Sequence, residues 1–463
     1  MKRVLPLLMA VGVLAACSDQ DPLTPEVDTP GSPALEKVAA KVKPGPGGLY
    51  EVGFTTFMVY DESRGDRPIP VYVWYPVNPT DIDGSSPEAE YPLDPFVPGA
   101  PMAASSAFEA YGFERAYHEP EPAEGPFPLV MHAPGWGGTA YTDGLFVGTG
   151  LAKHGFVVAA TTHWGDQSTL NFSEPYDHLA LAIYNRPRDV SAALDAMLMK
   201  NLEEEDLLFR TMNPGRVVAS GWSIGGYTAM VLAGGDDSVC DLADLWPGWE
   251  FPAYTCGPSQ PDPRIAMIIP LDGSNQLLHF DELTRVNLPS MGIGEEWAMA
   301  GDWQARQHAA FSGHPSYRVD LFNTDHLSFS GFCLGIEVME DEGLLPPGGI
   351  DFLRTFCAPG FMDSGEARRI IVKYMLAFLT HDQRVLTPGH AITSEPDVEF
   401  FVTEKKSARS IDAEWPAWYT YHIHQPGKAH AMAFKDLVAT AAMDPMGPRP
   451  MDFATRFLGP GGF

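Results

Sequence analysis

The sequence predicts an α/β fold, with a mostly parallel central sheet covered by helices on both faces. Three observations carry this. Short apolar, β-branched runs alternate with longer segments whose apolar residues recur at helical spacing. Runs such as RVVAS (216–220) and RIAMIIPL (264–271) are apolar throughout rather than alternating, as strands buried on both faces are. The chain has 463 residues, 45% of them hydrophobic, which is enough to bury a large core, as one large domain with extensions or as two or three domains.

The elements follow in order. Lys2 and Arg3 precede an apolar run, Val4 to Ala16, that is too short to span a bilayer and is built like the core of an export signal. It ends in Leu14-Ala15-Ala16-Cys17, which resembles the bacterial lipobox, whose cysteine is lipidated and becomes the mature N-terminus. Residues 1–16 are therefore expected to be a lipoprotein signal peptide and 17–48, rich in Pro, Gly and charge, a flexible tether. VGFTTFMVY and PIPVYVWYP read as β-type runs on either side of the turn-like DESRGDR. FPLVMHA is a strand entering the glycine loop PGWGG, and GFVVAAT (155–161) is the next. In RPRDVSAALDAMLMKN, Val190, Ala193, Leu194, Met197 and Leu198 share one helical face. Strands at 216–220, 264–271, 288–294 and 317–322 follow, and a last helix carries Ile370, Ile371, Tyr374, Met375, Phe378 and Leu379 on one stripe. The main domain is expected to span 49–382, with 234–263 and 331–360 as cap or rim insertions and 383–463 as an extension of unassigned role.

Sixty acidic residues face 30 basic ones, a net charge of −30, which argues against binding nucleic acid or anionic lipid surfaces electrostatically. Attachment to a membrane would come instead through a lipid on Cys17, on the periplasmic or cell-surface side of a bacterial membrane. The other four cysteines suggest disulfides in an exported chain, and Cys240–Cys256 with Cys333–Cys357 is the expected pairing because each pair brackets one loop-like segment. Their spacing does not fit a structural zinc site.

The segment GWSIGGY raises the question of function. Gly221-Trp222-Ser223-Ile224-Gly225 matches G-x-S-x-G, a weak signal in a chain with 45 glycines, until its setting is included. An apolar strand precedes Ser223 and an Ala-rich helix follows, the context in which a serine is held on a sharp turn as a nucleophile. Such a serine needs a base, an acid that orients it and donors for an oxyanion. With the chain order Ser, acid, His, each at a strand end, His326 is the base: it follows strand 317–322, whereas His279, His308 and His314 precede it. Asp272, ending strand 264–271, is the preferred acid, and Glu295 and Glu296, ending the next strand, are the rivals. Asp325 adjoins the histidine and is read as loop structure. The backbone N–H groups of Ile224 and Trp136 are the expected oxyanion donors.

These blocks together resemble the α/β-hydrolase branch of platelet-activating-factor acetylhydrolases and the bacterial "predicted dienelactone hydrolase" group. The resemblance rests on VGFTTFMVYDESRGDRPIPVYVWYP, LVMHAPGWGGTAYTDGLFVGTGLAKHGFVVAATTHWGDQS, NRPRDVSAALDAML, GWSIGGY, IIPLDGS and DHLSFS, over roughly 49–382. It implies an α/β-hydrolase fold, Ser223 as nucleophile, Asp272 as acid, His326 as base, and Trp136 and Ile224 as oxyanion donors. The sequence departs from that pattern in two places. True dienelactone hydrolases carry a cysteine where Ser223 stands, and APGWGG replaces the His-Gly pair of many relatives. The PG-aromatic loop and Trp222 are similar to those of cutinases and polyester hydrolases, some of which take their acid from the strand that here ends in Glu295 and Glu296.

The expected activity is hydrolysis of short-chain or phospholipid-like esters, without cofactor or metal. The alternatives are a cutinase-like hydrolase of polyester or aromatic esters, and a catalytically silent surface-binding lipoprotein. Trp136, Trp164, Trp222 and Trp297 lie near strand ends, and Trp164, Trp222 and Trp297 are candidates for binding an aromatic substrate group. The sequence assigns no oligomeric state.

Overall fold

The chain enters its sheet through a hairpin formed by the two β-type runs. In a computed structural model that describes residues 49–92, 102–166, 179–235, 253–257, 261–295, 301–313, 315–321, 324, 326–331, 333, 338, 343, 364–380, 398–403 and 420–423, β1 (Glu51–Asp61) pairs antiparallel with β2 (Arg67–Val77). The turn between them is closed by Asp61, which accepts from the Ser63 N–H at 3.0 Å, and by Gly65 at φ 72°, where a side chain would be strained. The short strands β3 (Glu90–Pro92) and β4 (Met102–Ala104) pair with each other, and β5 (Ala116–His118) adds to the outer edge of β1 in parallel.

The central sheet is then built by crossovers. β6 (Phe127–Ala133) leads through α1 (Ala140–Ala152) to β7 (Val157–Thr161), and α2 (Leu179–Lys200) leads to β8 (Met212–Trp222). After β8 come α3 (Ile224–Leu232), β9 (Ile265–Leu271), β10 (Ser290–Glu295), α4 (Gly301–Ala310), β11 (Ser316–Leu321) and α5 (Ser364–Leu379). The strand order is β13-β12-β11-β10-β9-β8-β6-β7-β2-β1-β5, in which β12 (Val398–Thr403) and β13 (Thr420–Ile423) are antiparallel additions beyond residue 382. From β7 to β11 every neighbouring pair is parallel.

Each face of the sheet has its own core, which is why the strands read as unbroken apolar runs. On one side Trp74, Val130, Val158 and Met267 meet Leu145, Val147, Ile371, Tyr374 and Phe378 from α1 and α5. On the other, Val71, Val73, Leu129, Met131 and Ile268 meet Val190, Leu194, Met197, Tyr227 and Met230 from α2 and α3. Leu198, expected on the buried stripe of α2, sits at its margin and is only partly buried. The helix also begins earlier than its apolar period suggests and carries Pro187 inside it.

From β6 the chain turns first toward β7 and later crosses back to β8 on the other side. Such a reversal opens a crevice beyond the carboxyl ends of the two strands, because their following segments leave toward opposite faces. The loop 134–139 and Ser223 stand on its two sides. Of the expected insertions, only 234–235, 253–257 and 261–263 of the first and 331, 333, 338 and 343 of the second are described. Cys256 and Cys333 are disulfide-bonded, and their expected partners Cys240 and Cys357 lie outside the described residues, as do Cys17 and the whole of 1–48.

Candidate active site

Ser223 sits between β8 and α3 with φ 56° and ψ −120°, a conformation that a side-chain-bearing residue adopts only when its surroundings impose it. Backbone bonds impose it here: the Ser223 N–H donates to the Leu271 carbonyl at 3.0 Å, and its own carbonyl accepts from Gly226 and Ser274 at 2.9 Å each. The neighbouring glycines make the turn sterically feasible. A Cβ on Gly225 would lie 1.9 Å from the Ala133 carbonyl oxygen, and one on Gly221 would lie 2.5 Å from the backbone of Gly225. The requirement is therefore close approach of α3 to β6 and β8, rather than a positive φ at those glycines.

His326 begins a short 3-10 turn (His326–Phe329) beyond β11. Its Nε2 is 3.0 Å from Ser223 Oγ, and its Nδ1 is 2.5 Å from Asp272 Oδ2. An ionised carboxylate can only accept, so the proton of the neutral ring is assigned to Nδ1, and Nε2 is left to accept from the serine hydroxyl. Asp272 is buried, has φ 42°, and takes a further bond at Oδ1 from the Glu295 N–H at 3.3 Å. Glu295, the rival acid, is thus near the site, but its backbone is what reaches Asp272; Glu296 lies outside the described residues, as does Asp325. Ser274, not singled out by sequence, brings its Oγ to 3.4 Å from Ser223 Oγ and is buried.

Trp222 is packed inside the site rather than displayed on it. It is 7% exposed, its ring lies 4.8 Å from that of His326, and its Nε1 donates to the His326 carbonyl at 2.9 Å. A Cβ at Gly135 would come within 2.3 Å of the same indole, so the ring touches both the histidine turn and the glycine loop. Trp136 and Trp164 are 40% and 53% exposed, free to face a ligand. Trp297 lies outside the described residues. The amides of Trp136 and Ile224 have no acceptor among the described residues.

Behind the glycine loop is a group of buried charges that sequence reading missed. Arg186, fully buried, pairs with Asp166 through Nε at 2.5 Å and Nη2 at 2.8 Å, and also donates to the Pro134 carbonyl and, at 2.7 Å, to that of Gly135. Asp143 Oδ2 accepts from the Gly135 N–H at 2.8 Å. Next to them Asp189 accepts from Arg67 Nε at 2.9 Å and lies 3.0 Å from His163 Nδ1, and Arg67 also holds the Trp164 carbonyl at 2.7 Å. Burial raises the Asp189 carboxyl, but His163 and Arg67 outweigh it and hold it down at about 2. The signal available in the sequence was Arg186 itself, a charge four residues ahead of Val190 on the apolar stripe of α2.

Asp143 behaves in the opposite way. Burial pushes its carboxyl up to about 7, against the Gly135 N–H and the Arg186 charge. The unfolded chain gives up this proton near pH ~4, so across the interval up to about 7 the native state binds the extra proton and stability falls as pH rises. Asp143→Asn is expected to flatten that part of the profile. Thermal denaturation at about pH 5 and about pH 8 should show a smaller loss of Tm between the two than in the unaltered protein.

No family model matches this chain, and no curated protein matches it in sequence. Among solved structures it is similar to the ferulic acid esterase from Streptomyces cinnamoneus, with 20% identity and a TM-score of 0.51 over 76% of this chain and 96% of that one. The likeness is one of fold: the parallel sheet covered by helices is an α/β-hydrolase architecture.

Proposed function

We propose that the protein is a serine carboxylic-ester hydrolase in which Ser223 is the nucleophile, His326 the general base and Asp272 the acid that orients it. The observation that carries this reading is the continuous chain Ser223 Oγ–His326 Nε2–His326 Nδ1–Asp272 Oδ2, at 3.0 and 2.5 Å, built on a serine with φ 56°. His326 takes the serine proton as Oγ attacks the ester carbonyl, and the same proton is delivered to the departing alcohol. Water then attacks the acyl-enzyme by the same route. Asp272 keeps the proton of neutral His326 on Nδ1 and stabilises the imidazolium while it exists. The developing oxyanion is received by the amides of Ile224 and Trp136, each worth about 3–4 kcal/mol in the transition state.

The substrates proposed first are short-chain or phospholipid-like esters, of the kind handled by platelet-activating-factor acetylhydrolases. A second reading, aromatic or polyester substrates as in cutinases, is favoured by the exposed indoles of Trp136 and Trp164. The similar solved structure, described as a ferulic acid esterase, points the same way. In either case the enzyme is proposed to be exported and tethered to a bacterial membrane by a lipid on Cys17.

The test is hydrolysis of p-nitrophenyl acetate, butyrate and octanoate and of methyl ferulate by a soluble form starting after Cys17. Preference for acetate and butyrate supports the first substrate class, and preference for the ferulate supports the second. A folded protein inert to all of them contradicts the hydrolase reading and leaves a surface-binding lipoprotein.

A further inference from the structure

The geometry points to Arg186 as the positioning residue of the oxyanion site: through the carbonyls of Pro134 and Gly135 it sets the direction in which the Trp136 N–H points. The inference rests on the hydrolase reading above and deepens it.

The argument is one of peptide planes. In a trans peptide the C=O of one residue and the N–H of the next lie in one plane and point in opposite directions. The plane joining Pro134 and Gly135 is fastened at both ends, its carbonyl to Arg186 Nη1 and its N–H to Asp143 Oδ2 at 2.8 Å. The plane joining Gly135 and Trp136 is fastened at its carbonyl end, by Arg186 Nη2 at 2.7 Å and by the Gly138 N–H at 3.0 Å. Its other end is the Trp136 N–H, directed away from the arginine and left without an acceptor among the described residues. One guanidinium therefore holds two successive planes.

Arginine suits this task in a way lysine does not. Its rigid fork presents Nη1 and Nη2 to two different carbonyls while Nε and Nη2 engage one carboxylate. Asp166 supplies that carboxylate, so the fork cannot rotate, and the group is fully buried, where competing water does not reach it. Glycine at 135 is required for an independent reason, the indole of Trp222 against its α-carbon. The loop is thus in close contact with Trp222 and hydrogen-bonded to Arg186.

Arg186→Lys keeps a charge for Asp166 but cannot hold both carbonyls. The expected result is a fall in kcat of about 10–100-fold on p-nitrophenyl butyrate, somewhat less than the loss of a whole oxyanion donor, with KM changed by less than about threefold. A trifluoromethyl ketone, whose hemiketal oxygen occupies the same site, should lose affinity by a similar factor. Because a buried pair broken on one side can prevent folding, Arg186→Met combined with Asp166→Leu, which removes both charges, is measured alongside. It should show the same loss of kcat and of ketone affinity. Folded variants that retain kcat and ketone affinity, with only Tm lowered, overturn the inference and leave Arg186 a packing residue. Ser223→Ala is run in parallel: turnover surviving in it overturns the hydrolase reading and this inference together. Turnover lost in Ser223→Ala but kept in Arg186→Lys overturns this inference alone.

Discussion

Ser223→Ala is expected to lower kcat on p-nitrophenyl acetate by about 10⁴–10⁶-fold while the protein folds as before. The magnitude follows from how the site is connected. Removing Oγ deletes the proposed nucleophile and takes from His326 Nε2 the hydroxyl that lies 3.0 Å from it. The oxyanion amides and substrate contacts persist, so a small residual rate above that of water is expected. Stability should change little. Alanine at φ 56° inherits the strain of the serine, and the backbone bonds to Leu271, Gly226 and Ser274 do not involve the side chain. Far-ultraviolet circular dichroism and a denaturation midpoint close to that of the unaltered protein would establish that the loss is chemical.

Gly225→Ala is expected to damage both fold and turnover. The added Cβ would sit 1.9 Å from the Ala133 carbonyl oxygen and 2.8 Å from that of Pro134, both backbone atoms with no rotamer to yield. The strand end or the helix must move, at a cost of about 3 kcal/mol or more, at the upper end of what overpacking exacts. The displaced residues are the ones that lead into Gly135 and Trp136. A variant that still folds should therefore show kcat reduced along with its urea midpoint. Gly215→Ala, where a Cβ would meet nothing closer than 3.4 Å, is the control and should be nearly neutral.

How far the site could be read from the sequence depends on the range of each contact. Ser223, Asp272 and His326 stand out because each directly follows an apolar strand, and strand ends on one side of a parallel sheet converge. The glycines around Ser223 are local as well, and what they permit is visible in the closeness of Gly225 to Ala133. Arg186, Asp166 and Asp143 are a different case. Each is an ordinary charged residue in its own segment, and their meaning arises only when α2, the turn after β7 and α1 meet behind the glycine loop. Ser274 was hidden likewise, since the serine after Asp272-Gly273 has no local signature for lying beside Ser223. Trp222 could be placed next to the nucleophile by number, but not against His326, which is 104 residues away. The strands β12 and β13 escaped notice because short pairing segments at a sheet edge carry little periodicity of their own.

The central claim is that Ser223 is an activated nucleophile, and covalent titration tests it most directly. The soluble protein is treated with a fluorophosphonate, its intact mass is measured, and the modified peptide is sequenced by mass spectrometry. The account predicts a single phosphonyl group per chain, on Ser223, acquired as esterase activity disappears and absent from Ser223→Ala. A folded protein that stays unmodified, or that carries the label on another residue, would contradict it.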